Sequence, residues 1–126
     1  MNCPTDIKVL YLEDDKIDQM AFERLVSENQ LRYDYTIAGS ITEARARLRE
    51  KHFDIVITDF SIGDGTAFDV FELVEDTAIL FVTGVGDEET AVKAMKRGAY
   101  DYLIKDQSRN YLKVLPVTVE NAIKHK

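Results

Sequence analysis

Apolar residues fall along this chain in two periods. Phe53–Phe60 reads FDIVITDF, and Ile55, Val56 and Ile57 stand side by side with no polar residue between them. Adjacent apolar, β-branched residues suit a strand covered on both faces, as in a parallel sheet. Strand three is therefore predicted at Asp54–Asp59. Two similar runs predict strand one at Lys8–Leu12, which holds VLYL, and strand four at Ala78–Thr83 (AILFVT). Arg32–Ala38 (RYDYTIA) alternates and is rich in Tyr, Thr and Ile, which predicts strand two. Tyr100–Ile104 is the fifth, followed directly by Lys105.

Between these runs the period becomes helical. Ile17, Met20, Ala21, Leu25 and Val26 recur at helix spacing through Ser27 or Glu28. Ser40 opens SITE, a capping box with Glu43, and the helix it starts continues through Ala44 and Leu48 to about Lys51. SIGDGT (61–66) is a Gly-punctuated loop, and Thr66 caps a short helix ending near Val74. Glu88–Arg97 is amphipathic and is closed by Gly98. Leu112, Leu115, Val119, Ala122 and Ile123 share one face of a last helix, predicted over at least Pro116–Ile123; Pro116 either starts it or kinks it. Met20 and Met95 fit core positions, with no cofactor implied.

Strands alternating with helices make an α/β fold. Right-handed crossovers give a five-stranded parallel sheet with helices on both faces. For five strands the common doubly wound, flavodoxin-like order is 2-1-3-4-5, with its switch point between strands one and three. At 126 residues the chain is read as one domain, 1–126. The net charge of −7 repels nucleic-acid phosphates, so no direct nucleic-acid binding is expected. Cys3 is the only cysteine, which fits a reducing, cytoplasmic compartment. Neither a signal-peptide core nor an apolar run long enough for a membrane span is visible.

The chemistry sits at strand ends. Glu13 and Asp14 follow strand one, Asp59 ends strand three, Thr83 ends strand four and Lys105 follows strand five. In a parallel sheet these face one rim. Like charges 4 Å apart repel by ~4 kcal/mol at an intermediate dielectric, and a divalent cation removes that cost. Hard carboxylate donors with several waters suit Mg²⁺. A carboxylate such as Asp59 can also attack phosphorus, with Lys105 supplying opposing charge and Thr83 a hydroxyl.

VLYLEDD, DIVITDFSIGDG, ILFVTG and GAYDYLIK, in this order, resemble the receiver domain of two-component response regulators over almost the whole chain. The doubly wound order given above for such a sheet is the one already recorded for a receiver protein. The resemblance implies Asp59 as phosphoacceptor and Glu13 and Asp14 as the acidic pair, Asp14 being the direct metal ligand and Asp15 a third acid outside the ligand set. It implies the backbone carbonyl of Ser61 as a further Mg²⁺ ligand, Thr83 and Tyr102 as the switch pair, and Lys105 as the phosphate-binding lysine. The implied partners are a sensor histidine kinase or phosphotransfer protein as donor, and a downstream protein that reads the surface of helix four, strand five and helix five. Homodimerisation is left open. Such a chain is a switch that catalyses only its own phosphorylation and dephosphorylation.

Three departures stand out. Asp106 replaces the family's proline after the lysine, and a trans bond is expected there because a non-proline cis bond costs ~3 kcal/mol. Gly63 replaces a loop proline, which should loosen that loop. The interval from Asp59 to Thr83 is short by about one and a half helical turns, so the third helix should be stunted and its face of the sheet less covered. YLKVLPVTVENAI at 111–123 resembles the end of receivers attached to sensory modules. Val85, two residues past Thr83, cannot hydrogen-bond an attacking water, which predicts a long-lived phosphate. The alternative function is a pseudo-receiver that binds proteins without phosphorylation. A metal-dependent phosphatase is disfavoured, because Ser61 stands where a second Asp would act as general acid.

Overall fold

A computed structural model describes residues 6–74, 76–84, 88–106 and 108–124. Five strands form one parallel sheet: β1 (Ile7–Leu12), β2 (Tyr33–Ala38), β3 (Ile55–Asp59), β4 (Ala78–Gly84) and β5 (Asp101–Lys105). Their order is β2-β1-β3-β4-β5, the expected doubly wound arrangement. Between them run α1 (Lys16–Glu28), α2 (Ile41–Glu50), α3 (Ala67–Phe71) and α4 (Glu88–Lys96), and α5 (Tyr111–Lys124) follows β5.

Side chains alternate along each strand, and the two faces feed two cores. Val9, Tyr11, Ile55, Ile57, Leu80 and Val82 pack under α1 and α5, against Phe22, Val26, Leu115 and Val119. Leu10, Leu12, Val56 and Ile79 pack on the other side against Ile41, Ala44, Ile62 and Val70. Both faces of β3 are thus covered, as its unbroken apolar run requires.

Capping sets the helix starts. Asp15 Oδ1 accepts from the N–H groups of Ile17 and Asp18 at 2.8 and 3.3 Å, and Ser40 Oγ accepts from Glu43 N–H at 3.0 Å. Helix α2 has a second, long-range cap: Asp64 accepts from Ile41 N–H at 2.7 Å and from Thr42 N–H at 3.1 Å. At its far end α4 is closed by Gly98, whose φ of 109° favours glycine.

Several expectations are corrected. Met20 and Met95 are not core residues; they are 58% and 40% exposed, and Ile17 is 65% exposed. The buried stripe of α1 is Phe22 and Val26, so the inward face is rotated from the one the apolar spacing suggested. Helix α5 begins at Tyr111, five residues earlier than the predicted minimum, with Pro116 inside it. Tyr111, Leu112 and Leu115 before that proline and Val119 and Ala122 after it are buried, which holds the helix on both sides.

Helix α3 is a stunted five-residue helix, as the shortened interval implied. The sheet beneath it is not bared, however. Phe81 is fully buried, and Phe60, Phe68 and Phe71 pack around it with ring centroids about 6 Å apart. The Arg97 guanidinium lies over the rings of Phe68 and Phe71 at 5.7 and 5.4 Å and closes the gap. Residues 61–66 form a two-residue antiparallel ladder, Ser61–Ile62 with Gly65–Thr66. Far from being loosened by Gly63, this hairpin is tied at both central residues, through Gly63 N–H to Asp14 Oδ2 (3.1 Å) and through Asp64 to α2. At Gly65 a Cβ would meet Asp69 Oδ2 at 2.5 Å and Ile41 Cγ1 at 3.0 Å, so a larger residue would displace the carboxylate that accepts from Thr66 N–H.

Candidate functional site

Sheet register brings the rim residues together. Leu12 pairs with Thr58, and Asp59 pairs with Val82, which pairs with Leu103. Glu13 and Asp59 are therefore level on adjacent strands. Lys105 stands two residues beyond that level, and its long side chain reaches back.

One carboxylate oxygen from each of Glu13, Asp14 and Asp59 lies within 4.8 Å of the other two. Lys105 Nζ is 2.7 Å from Glu13 Oε1, 3.2 Å from Asp59 Oδ2 and 2.8 Å from Asp18 Oδ2. Asp18 Oδ1 also accepts from Arg109 Nη2 at 3.2 Å. Asp59 Oδ1 accepts from the N–H of Phe60 at 2.8 Å, which orients the carboxylate. Asp15 is engaged elsewhere, its side chain capping α1.

Glu13 is 1% exposed. Burial pushes its carboxyl above the ordinary value, the hydrogen bond from Lys105 pulls it back, and the charge of Asp59 pushes it up again. For Lys105, burial favours the neutral amine. Hydrogen bonds to Asp18 and Glu13 and the charge of Asp59 outweigh burial and hold the ammonium well above the usual lysine range.

The donor set fits a small divalent cation. Octahedral Mg²⁺ with bonds of about 2.1 Å places neighbouring and opposite ligand oxygens about 3 to 4.2 Å apart. Four carboxylates (Glu13, Asp14, Asp18, Asp59) face two cationic side chains, Lys105 and Arg109, which leaves an excess of two negative charges.

Thr83 and Tyr102 are not joined to this cluster. Thr83 is fully buried, and its hydroxyl has no hydrogen-bond partner among the described residues. Tyr102, opposite Phe81 in register, is 36% exposed. Ser61 stands two residues past Asp59, at the start of the hairpin ladder. Val85 lies outside the described residues.

Despite Asp106, Lys105 aims into the site. The Lys105–Asp106 bond is trans, as expected. Asp106 is engaged at the start of α5, where its carboxylate accepts from Tyr111 N–H at 3.4 Å.

Asp18, Arg109 and Asp64 escaped the sequence reading. Asp18 had a signal: it sits four and eight residues before Phe22 and Val26, an acid in line with the buried stripe of an amphipathic helix. Asp64 had none, because its partners lie more than twenty positions away.

The sequence profile of the response regulator receiver domain matches residues 9–115. The chain belongs to that family. It is 33% identical over 115 residues to the two-component response regulator ORR21 of Oryza sativa subsp. indica, and 28% identical over 115 residues to the response regulator protein PilR of Pseudomonas aeruginosa. These alignments cover 87% and 88% of this chain but only 16% and 25% of the relatives' lengths. The structure resembles the crystal structure of a response regulator receiver domain protein from Clostridium thermocellum, with a TM-score of 0.81 and 26% identity over 94% of this chain and 95% of that one. No helix among the described residues is long and apolar enough to cross a membrane.

Proposed function

We propose that this receiver is a phosphorylatable, cytoplasmic signalling switch whose phosphoacceptor is Asp59. The observation that carries this reading is the meeting of Glu13, Asp14, Asp59 and Lys105 at one rim of the sheet. An Asp59 carboxylate oxygen attacks the phosphorus of a phosphohistidine on a sensor kinase or phosphotransfer protein. The P–N bond breaks, and its electron pair stays on the imidazole. A carboxylate nucleophile needs no general base. Glu13, Asp14, Asp59 and the backbone carbonyl of Ser61 would hold Mg²⁺. Bound there, the cation screens the incoming phosphoryl oxygens from the acids. Lys105 Nζ, 3.2 Å from Asp59, binds one of those oxygens from the other side.

The output is a change of surface. Thr83 moves its unpaired hydroxyl towards the phosphoryl group, and Tyr102 turns inward. Val92, Met95, Tyr102, Val114 and Val117 are exposed apolar residues on α4, β5 and α5, the face a protein partner would read. Net charge argues for protein rather than nucleic acid as that partner. Any effector fused to this domain in the longer relatives is theirs, and a comparable output for this chain is part of the proposal.

The test is incubation with acetyl phosphate and Mg²⁺ followed by intact-mass measurement. One added phosphoryl group, absent in Asp59→Asn and after EDTA, is the expected result. An unmodified wild type would leave the pseudo-receiver reading, which the unlinked Thr83 and the Asp106 substitution favour.

A further inference from the structure

Asp18 has no part in the chemistry described so far. It lies in the first turn of α1, and its side chain is 13% exposed. Its two oxygens bind different cations, Lys105 at 2.8 Å through Oδ2 and Arg109 at 3.2 Å through Oδ1. Arg109 lies in the loop after β5 with φ of 55°, a backbone region that costs a residue with a Cβ about 1 kcal/mol or more. The surrounding contacts, this ion pair among them, hold it there.

The Lys105 ammonium has three protons and meets three carboxylates, Glu13, Asp18 and Asp59. A phosphoryl group arriving on Asp59 changes the surroundings of Asp59 and Glu13. Asp18 meets the same ammonium from a different element, the first turn of α1. We propose that Asp18 is a positioning residue: it anchors the Lys105 ammonium while the bonds from Asp59 and Glu13 are exchanged for a phosphoryl oxygen. Arg109 fixes the Asp18 carboxylate by holding its other oxygen. Asp18 acts only through Lys105 and touches neither donor nor phosphorus. The proposal rests on the Asp59 reading. It also accounts for a lysine that points into the rim although the residue after it is Asp106.

The test compares the wild type with Asp18→Asn, which keeps the shape and removes the charge, and with Asp18→Glu, which keeps the charge. At saturating Mg²⁺, the rate of phosphoryl transfer from acetyl phosphate should fall about three- to tenfold in Asp18→Asn, the worth of one hydrogen bond, with the half-saturating Mg²⁺ concentration changed by less than about twofold. Asp18→Glu should recover at least half of the loss. An Asp18→Asn rate equal to wild type, a loss carried wholly by a greater Mg²⁺ requirement, or an Asp18→Glu protein no faster than Asp18→Asn would overturn the proposal.

A second readout needs no phosphorylation. The side-chain ¹⁵N ammonium signal of Lys105 should be sharp in the wild type, because three carboxylates slow its hydrogen exchange, and should broaden in Asp18→Asn but not in Asp18→Glu. No difference between wild type and Asp18→Asn overturns the positioning role. If Asp59 takes no phosphoryl group while this signal responds, the phosphorylation reading fails and the anchoring of Lys105 stands.

Discussion

An ammonium shared by three carboxylates is held against its own burial, and Lys105 shows which effect wins. Desolvation alone would favour the neutral amine, but the bonds to Asp18 and Glu13 and the field of Asp59 reverse the shift. Removing that charge leaves Glu13 buried beside Asp59 without its cation. Lys105→Met should therefore lower stability by about 2–3 kcal/mol in EDTA, and added Mg²⁺ should restore more stability than it gives the wild type. Urea denaturation with and without Mg²⁺ measures both, and equal Mg²⁺ effects would contradict the shared-cluster account. Asp64 makes the opposite case at the surface. Hydrogen bonds from Ile41 N–H and from the Thr42 side chain and N–H hold its carboxyl below the ordinary 3.8. A folded pKa below the unfolded one adds stability above the unfolded value, and that stability is lost as pH falls through the folded value. Asp64→Ala should lower Tm by roughly 3–5 °C at pH 7, and the difference from wild type should shrink progressively as pH drops below about 4. A gap that widens on acidification would reverse the sign of this argument.

Elements that carry their own pattern were legible in the sequence; elements completed by a distant residue were not. The run DIVITD at 54–59 could only be a strand covered on both faces, and SITE announced α2 through its own cap. The Asp64 cap on α2 and the Arg97 lid over α3 depend on side chains from elsewhere in the chain, which no local period reveals. On α1 the apolar spacing pointed to a face with Met20 and Ile17, but Phe22 turned inward instead because its ring packs between Tyr11 and Tyr35 at centroid distances of 4.3 and 5.3 Å. The rim fared better: Glu13, Asp14, Asp59 and Lys105 all came from strand ends, and a parallel register suffices to bring strand ends together. The short α3 makes Arg97 a structural residue in its own right. Arg97→Ala removes two cation–π contacts and should destabilise the fold by about 1 kcal/mol, whereas Arg97→Lys should recover part of that loss. Thermal denaturation of the two variants checks this, and an Arg97→Ala protein as stable as wild type would mean that the aromatic cluster covers the sheet unaided.

Across the whole molecule, the rim and the α4–β5–α5 face share β5, which carries both Lys105 and Tyr102. In the resting protein Thr83 carries a fully buried hydroxyl with no partner among the described residues, one position past the strand level of Asp59. A buried hydroxyl left unpaired costs about 1–3 kcal/mol. A phosphoryl oxygen that satisfied it would favour the rearranged state by a similar amount, enough to shift a two-state balance about five- to 150-fold. The space beside Thr83 is then open to Tyr102, which in the resting state lies 36% exposed across the β4–β5 ladder. On the proposed reading Thr83 would transmit the signal and not receive it. Thr83→Ala should still take up a phosphoryl group on Asp59 and should be no less stable than wild type by more than about 0.5 kcal/mol, since it removes an unsatisfied group together with its penalty. Its Tyr102 amide and ring signals, which in the wild type should shift on treatment with acetyl phosphate and Mg²⁺, should then stay at their resting positions. A full Tyr102 shift in Thr83→Ala would place the coupling elsewhere in the sheet, and a variant that no longer accepts phosphate would make Thr83 part of the transfer step itself.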